Sequence, residues 1–67
     1  MLPKSMAIRA AVRLLESGEV FTASDILART GREDIRHSDA TVILDNKCDD
    51  FVRPCAPVGG VRYWRRR

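Results

Sequence analysis

The run Thr22-Ala23-Ser24-Asp25-Ile26-Leu27-Ala28-Arg29-Thr30-Gly31 frames a helix of barely two turns. A helix that short is marginal in water, so its stability must come from docking on its neighbours. The frame itself is well marked. Thr22 precedes Asp25 by three positions, the spacing of a capping box in its acidic form, and Phe21 and Ile26 stand where a hydrophobic staple would join. Gly31 supplies the left-handed stop, and Ile26 and Leu27 are the side chains carried inward. Whatever this chain folds into must therefore place apolar elements on either side of residues 22–31.

The flanking sequence supplies them. Ile8, Ala11, Val12 and Leu15 recur at helical spacing while Arg9, Arg13 and Glu16 line the other side, predicting an amphipathic helix over residues 5–17 that ends at Gly18. After Gly31 the chain is polar through residue 37 except for Ile35, which pins this link to the core. Ser38 is placed to cap a third helix that runs to about residue 50. Ala40, Val42, Ile43 and Leu44 bury that helix, with Thr41, Asp45 and Asp49 on its solvent side at steps of four. Residues 51–56 then read as extended, and Pro54, which has no N–H to donate, confines them to a sheet edge or an irregular strand. Residues 57–60 make a turn and residues 61–65 return as a second strand. This order predicts an α+β fold, a winged helix-turn-helix of three helices followed by a two-stranded β-hairpin wing, as one domain over residues 1–67. A plain three-helix bundle with a loose basic tail is the rival arrangement.

Charge divides the chain unevenly. Residues 1–52 hold seven Lys and Arg against nine Asp and Glu, whereas residues 53–67 hold five Arg and no acidic side chain. A concentrated cationic strip attracts a phosphate backbone through counterion release, which a scattered charge of the same size does not. The other functions that residue types could support are poorly provided for. At 67 residues, folding buries only about 60% of the surface of the unfolded chain, which leaves little room for an enclosed catalytic cleft. One histidine, His37, supplies no catalytic triad, and no glycine loop precedes a helix as a phosphate cradle, so no enzymatic activity is expected. Cys48 and Cys55 are too few for a disulfide framework and too widely spaced for a zinc site with His37; each reads as a small, partly buried hydrophobe, and no cofactor is expected. No apolar run approaches the roughly 18 residues that cross a bilayer, and the first residues lead directly into a charged helical pattern, so a cytoplasmic location without membrane attachment is expected.

Three stretches, Phe21-Thr22-Ala23-Ser24-Asp25-Ile26-Leu27-Ala28, Ala40-Thr41-Val42-Ile43-Leu44 and Val61-Arg62-Tyr63-Trp64, resemble small bacterial winged-helix regulators, and within that class the FaeA-type regulators of fimbrial operons. The resemblance implies that the third helix enters the major groove of double-stranded DNA and reads sequence. The hairpin would touch the adjacent backbone or minor groove and set register. A transcription regulator is the function expected on that resemblance, and because so small a domain spans few base pairs, useful specificity requires a homodimer, tandem sites or a partner regulatory protein.

The candidate DNA contacts follow from residue type. Thr41 and Asn46 are the neutral polar side chains of the third helix, and Arg36, His37 and Ser38 stand at its entrance, where free amides favour phosphate. Arg62, Trp64, Arg65, Arg66 and Arg67 form the basic wing. If the last strand is regular, Val61 and Tyr63 share one face and Arg62, Trp64 and Arg66 the other. Parity then makes Tyr63 the core residue and leaves Trp64 to stack among arginines, whereas a bulge reverses the two. Arg53 either extends the basic surface or pairs with Asp49 or Asp50, and Arg9 and Arg13 either contact phosphates or form a solvated helix face. The third helix is itself acidic, with Asp39, Asp45, Asp49 and Asp50 nearby against Lys47. That acidity supports a second reading, a protein-binding accessory module that docks on a host protein through this helix.

Overall fold

Apolar periodicity places all three helices, and tertiary pairing adds a strand that periodicity does not show. The computed structural model describes residues 2–67. The chain runs α1 (Lys4–Arg13), β1 (Val20–Phe21), α2 (Ala23–Thr30), α3 (His37–Asn46), β2 (Val52–Pro54) and β3 (Trp64–Arg66). The three strands form one antiparallel sheet in the order β1-β3-β2, with Phe21 and Pro54 both opposite Trp64. The fold is thus α+β with three helices, and the expected two-stranded hairpin is corrected to a three-stranded sheet. Two residues are too few to display alternation in a sequence. β1 exists because β3 offers it a free edge: the Gly18 amide donates to the Arg66 carbonyl at 2.6 Å and the Arg66 amide to the Glu19 carbonyl at 2.9 Å. Pro54 lies on the edge strand β2, as its missing donor requires.

The capping box of α2 forms in both directions, Asp25 N–H to Thr22 Oγ1 at 3.1 Å and Thr22 N–H to the Asp25 carboxylate at 2.9 Å, and Gly31 closes the helix at φ 65°. The start of α3 differs from expectation. Its cap is Arg36 rather than Ser38, and Ser38 is exposed within the first turn. A guanidinium has no acceptor, so only the returning half of a capping box is made, with the Asp39 carboxylate accepting from the Arg36 amide at 3.1 Å. The helix also stops at Asn46, not near residue 50. Cys48 has to enter the core, and the amides of Phe51 and Val52 both donate to its carbonyl, at 3.0 and 2.8 Å, in the turn that launches β2. Asp49 and Asp50 leave the helix with it. α1 likewise ends at Arg13, after which Leu14 and Leu15 donate back to Ala11 and Val12 in a tightened last turn.

Ile8, Val12, Phe21, Ile26, Leu44, Cys48 and Trp64 are fully buried, and Ile35 pins the link between α2 and α3 to them. Val42, expected inside, is 58% exposed. At 3.6 residues per turn it points away from the face that carries Ala40, Ile43 and Leu44. The hairpin reverses the parity expectation: Trp64 is 1% exposed and Tyr63 only half-buried. Regular pairing begins at Trp64, and residues 62–63 lie outside the ladder, so alternation does not carry through from Val61. The tip is closed by Gly59 and Gly60, at φ 58° and 78°, between the mutually bonded Val58 and Val61. Two successive positive φ values are what a two-residue primed hairpin turn needs.

Burial pushes the Cys48 thiol up to about 11, whereas Cys55 is only partly covered. A thiol reagent at pH 8 is therefore expected to label Cys55 within minutes and Cys48 only after denaturant is added. Two rapid equivalents would place Cys48 outside the core.

Candidate functional site

The hairpin is fastened to α3 by one carboxylate. Asp45, on the exposed side of α3, accepts from both terminal nitrogens of Arg62, at 2.8 and 2.9 Å, and from the indole N–H of Trp64 at 3.1 Å. The Arg62 guanidinium lies 4.6 Å from the Trp64 ring, stacked over it while gripping the carboxylate. The Arg62 guanidinium, and secondarily the indole N–H, hold the Asp45 carboxyl below the usual carboxylate range. The same pair raises the Arg62 pKa. A bidentate pair stacked on a buried ring has less side-chain freedom to lose than an open surface pair. The clamp therefore sets the angle of the hairpin against α3.

Beside this clamp is an open groove of about 340 Å³. Its sides come from three elements: Thr22, Ala23 and Ser24 at the start of α2, His37 and Thr41 on α3, and Gly60, Val61 and Arg62 at the hairpin tip. The start of α2 turns toward the groove because the capping box fixes it there. The first-turn amides of a helix have no intrahelical acceptor, so Ala23 and Ser24 offer N–H groups to an anion. Thr41 Oγ1 donates to the His37 carbonyl at 3.0 Å, leaving its lone pairs outward. The groove can thus offer donors from backbone and Ser24, an acceptor from Thr41, the imidazole of His37, and a charge at Arg62 that is already balanced.

Of the residues singled out in the sequence, the groove gathers His37, Thr41 and Arg62 together with the buried Trp64. Trp64 is thereby a supporting residue rather than an exposed stacking platform. Arg36 and Ser38 stand exposed at the α3 entrance. Asn46 lies at the other end of α3, its side-chain N–H bonded to the Val42 carbonyl at 3.0 Å. The tail arginines do not form one strip. Arg65 stands across from Val20 and Arg53 and is exposed, while Arg66, one residue on, faces inward with its guanidinium 5.9 Å from the Phe51 ring. Arg67 continues past it, its amide donating to the Phe51 carbonyl at 2.9 Å. Strand alternation separates neighbours that the sequence counted as one charge cluster.

The acidity of α3 is largely neutralised. Asp39 pairs with Lys4 at 3.3 Å and Asp50 with Arg9 at 3.2 Å, in addition to the Asp45–Arg62 pair. The Asp39 carboxyl is lowered first by the Arg36 amide and then by Lys4, and the Asp50 carboxyl by Arg9. Among the described residues, Asp49 has no such partner, and Arg53 pairs with neither Asp49 nor Asp50. Sequence reading missed Ser24 and the Asp45 clamp. Ser24 was within reach of it, since the capping box already located a helix start one residue before Ala23. The clamp was not, because its partners are 17 and 19 residues apart.

No helix among the described residues is long and apolar enough to cross a membrane. No protein-family model, curated protein or solved structure matches the chain, so the reading of the site rests on its own geometry and chemistry.

Proposed function

We propose that this chain is a double-stranded DNA-binding protein of winged helix-turn-helix type, in which the exposed face of α3 enters the major groove and the β2–β3 hairpin touches the adjacent backbone. The observation that carries this reading is the groove in which the start of α2, the first turns of α3 and the hairpin tip converge. A helix start aimed at phosphate, a helix face with polar side chains and a basic hairpin are the parts such docking uses. The intramolecular pairing of Asp39, Asp45 and Asp50 supports it further, since it lifts most of the repulsion that an acidic α3 would exert on phosphate. The same pairing leaves a protein partner seeking an acidic helix little to bind. In the line of the FaeA-type resemblance, the protein would act in the cytoplasm as a transcription regulator, as a homodimer or with a partner regulatory protein.

The test is a titration against random-sequence duplexes and a pool of genomic fragments at two salt concentrations. Retention of a discrete sequence class, weakening as salt rises, is the expected result, and no retention at low salt rejects the reading. One variant isolates the groove. Ser24→Glu puts a carboxylate in the first turn of α2, where the helix dipole favours it, so folding is undisturbed or improved. Duplex affinity should nevertheless fall by about tenfold or more through repulsion of phosphate. Unchanged affinity would mean that DNA, if bound, is bound elsewhere.

A further inference from the structure

Three arginines from two distant parts of the chain surround one ring. The guanidinium carbons of Arg9, Arg13 and Arg66 lie 4.8, 5.3 and 5.9 Å from the centroid of Phe51. A single carboxylate, Asp50, joins them, and Arg9 holds it through two hydrogen bonds of 3.3 and 3.2 Å while also donating to the Lys47 carbonyl. Arg13 has neither an ion pair nor a side-chain hydrogen bond among the described residues. Arg66 donates through one terminal nitrogen to the Arg67 carbonyl at 2.7 Å, but its Nε is buried without an acceptor. A set of like charges with one counter-charge is costly, and an incoming oxyanion at the exposed guanidinium nitrogens relieves it.

We propose that this arginine face is a second contact for nucleic-acid phosphates, distinct from the groove. The inference rests on the DNA-binding reading above. Arg13, whose guanidinium lies beside Phe51, keeps its N–H groups free of intramolecular partners among the described residues, and a free guanidinium edge can meet phosphate oxygens two at a time. The two surfaces share no residue, and the hairpin links them. Arg66 comes five residues after Val61 of the groove, in a chain that advances about 3.3 Å per extended residue. A repeating backbone charge suits cations spread over an open face better than a single small anion does. The phosphates come either from the flanking part of the same duplex or from a second duplex.

The experiment compares the salt dependence of duplex binding for the protein, for Arg13→Gln, for the Arg13→Gln/Arg66→Gln pair and for a control, Arg29→Gln, which lies off both surfaces. Removing one phosphate-binding cation lowers the slope of log K against log salt by about one. The single variant should therefore reduce the slope by about one and the pair by about two, with the control unchanged. Arg13 is exposed, so the single variant decides the matter should the pair fold poorly. An unchanged slope in Arg13→Gln, or an equal reduction in the control, overturns the inference while leaving the groove reading intact. Failure of the unmodified protein to bind any duplex removes both. Capture of a free labelled duplex by protein held on an immobilised one, abolished in the pair variant, identifies a second duplex as the source. A lowered slope without capture identifies the flanking segment.

Discussion

Replacing Trp64 by Ala is expected to leave the protein largely unfolded at 37 °C. Trp64 is 1% exposed, central in the sheet, and opposite both Phe21 and Pro54. Truncating a buried Trp to Ala typically costs about 3–5 kcal/mol, from reduced burial and from the cavity left behind. A domain of this length has a total stability of about 3–10 kcal/mol, at roughly 0.05–0.15 kcal/mol per residue. The substitution therefore removes a large share of it, and the indole bond to Asp45 as well. Urea unfolding followed by far-ultraviolet circular dichroism reads this directly, because it does not depend on the missing fluorophore. Trp64→Phe should keep most of the packing and lose mainly the Nε1 bond, giving an intermediate midpoint. An Ala variant that unfolds cooperatively within about 1 kcal/mol of the parent would place Trp64 outside the core, contrary to the structure.

Asp45→Ala carries the second large effect. It leaves the indole N–H of Trp64 without its acceptor and Arg62 without its counter-charge, an expected loss of about 1–3 kcal/mol for a polar group stripped of its partner. The figure belongs at the lower end, because the Asp45 side chain is 34% exposed and water screens the ion pair. The pH dependence gives a sharper signature. The Asp45 carboxyl is depressed in the folded state, so its contribution is complete above the unfolded carboxylate pKa of about 3.9. It is lost as pH falls through that value toward the lower folded one. The gap in urea midpoint between parent and variant should therefore be widest near pH 7 and narrow below pH 4. Asp39 and Asp50 are depressed as well, but they are present in both proteins and cancel in the difference. A gap that stays constant down to pH 3, or no gap at pH 7, would mean that Asp45 does not clamp the hairpin. The groove would then lack its fixed wall.

The chain by itself determined the features that are settled between near neighbours. Ile8, Ala11, Val12 and Leu15 mark α1 because side chains three and four apart share a helix face. The Thr22–Asp25 box and Gly31 mark both ends of α2, since a cap and a left-handed stop are chemistry within four residues. Pro54 on the sheet edge and Gly59–Gly60 at the tip follow from one missing donor and two unrestricted φ angles. His37, Thr41 and Arg62 of the groove were also legible by type and position along the chain. Only the tertiary structure decided the rest. β1 exists through pairing of Val20 with Arg65, the acids on α3 and just after it are balanced by Lys4, Arg62 and Arg9, and Trp64 turns inward because Asp45 and Phe21 meet it there. The tail arginines, consecutive in sequence, are sent to opposite faces by strand alternation. The first strand, the ion pairs and the inward Trp64 depend on groups 17 to 45 residues apart, which local spacing does not encode and which only the closing of the core brings together.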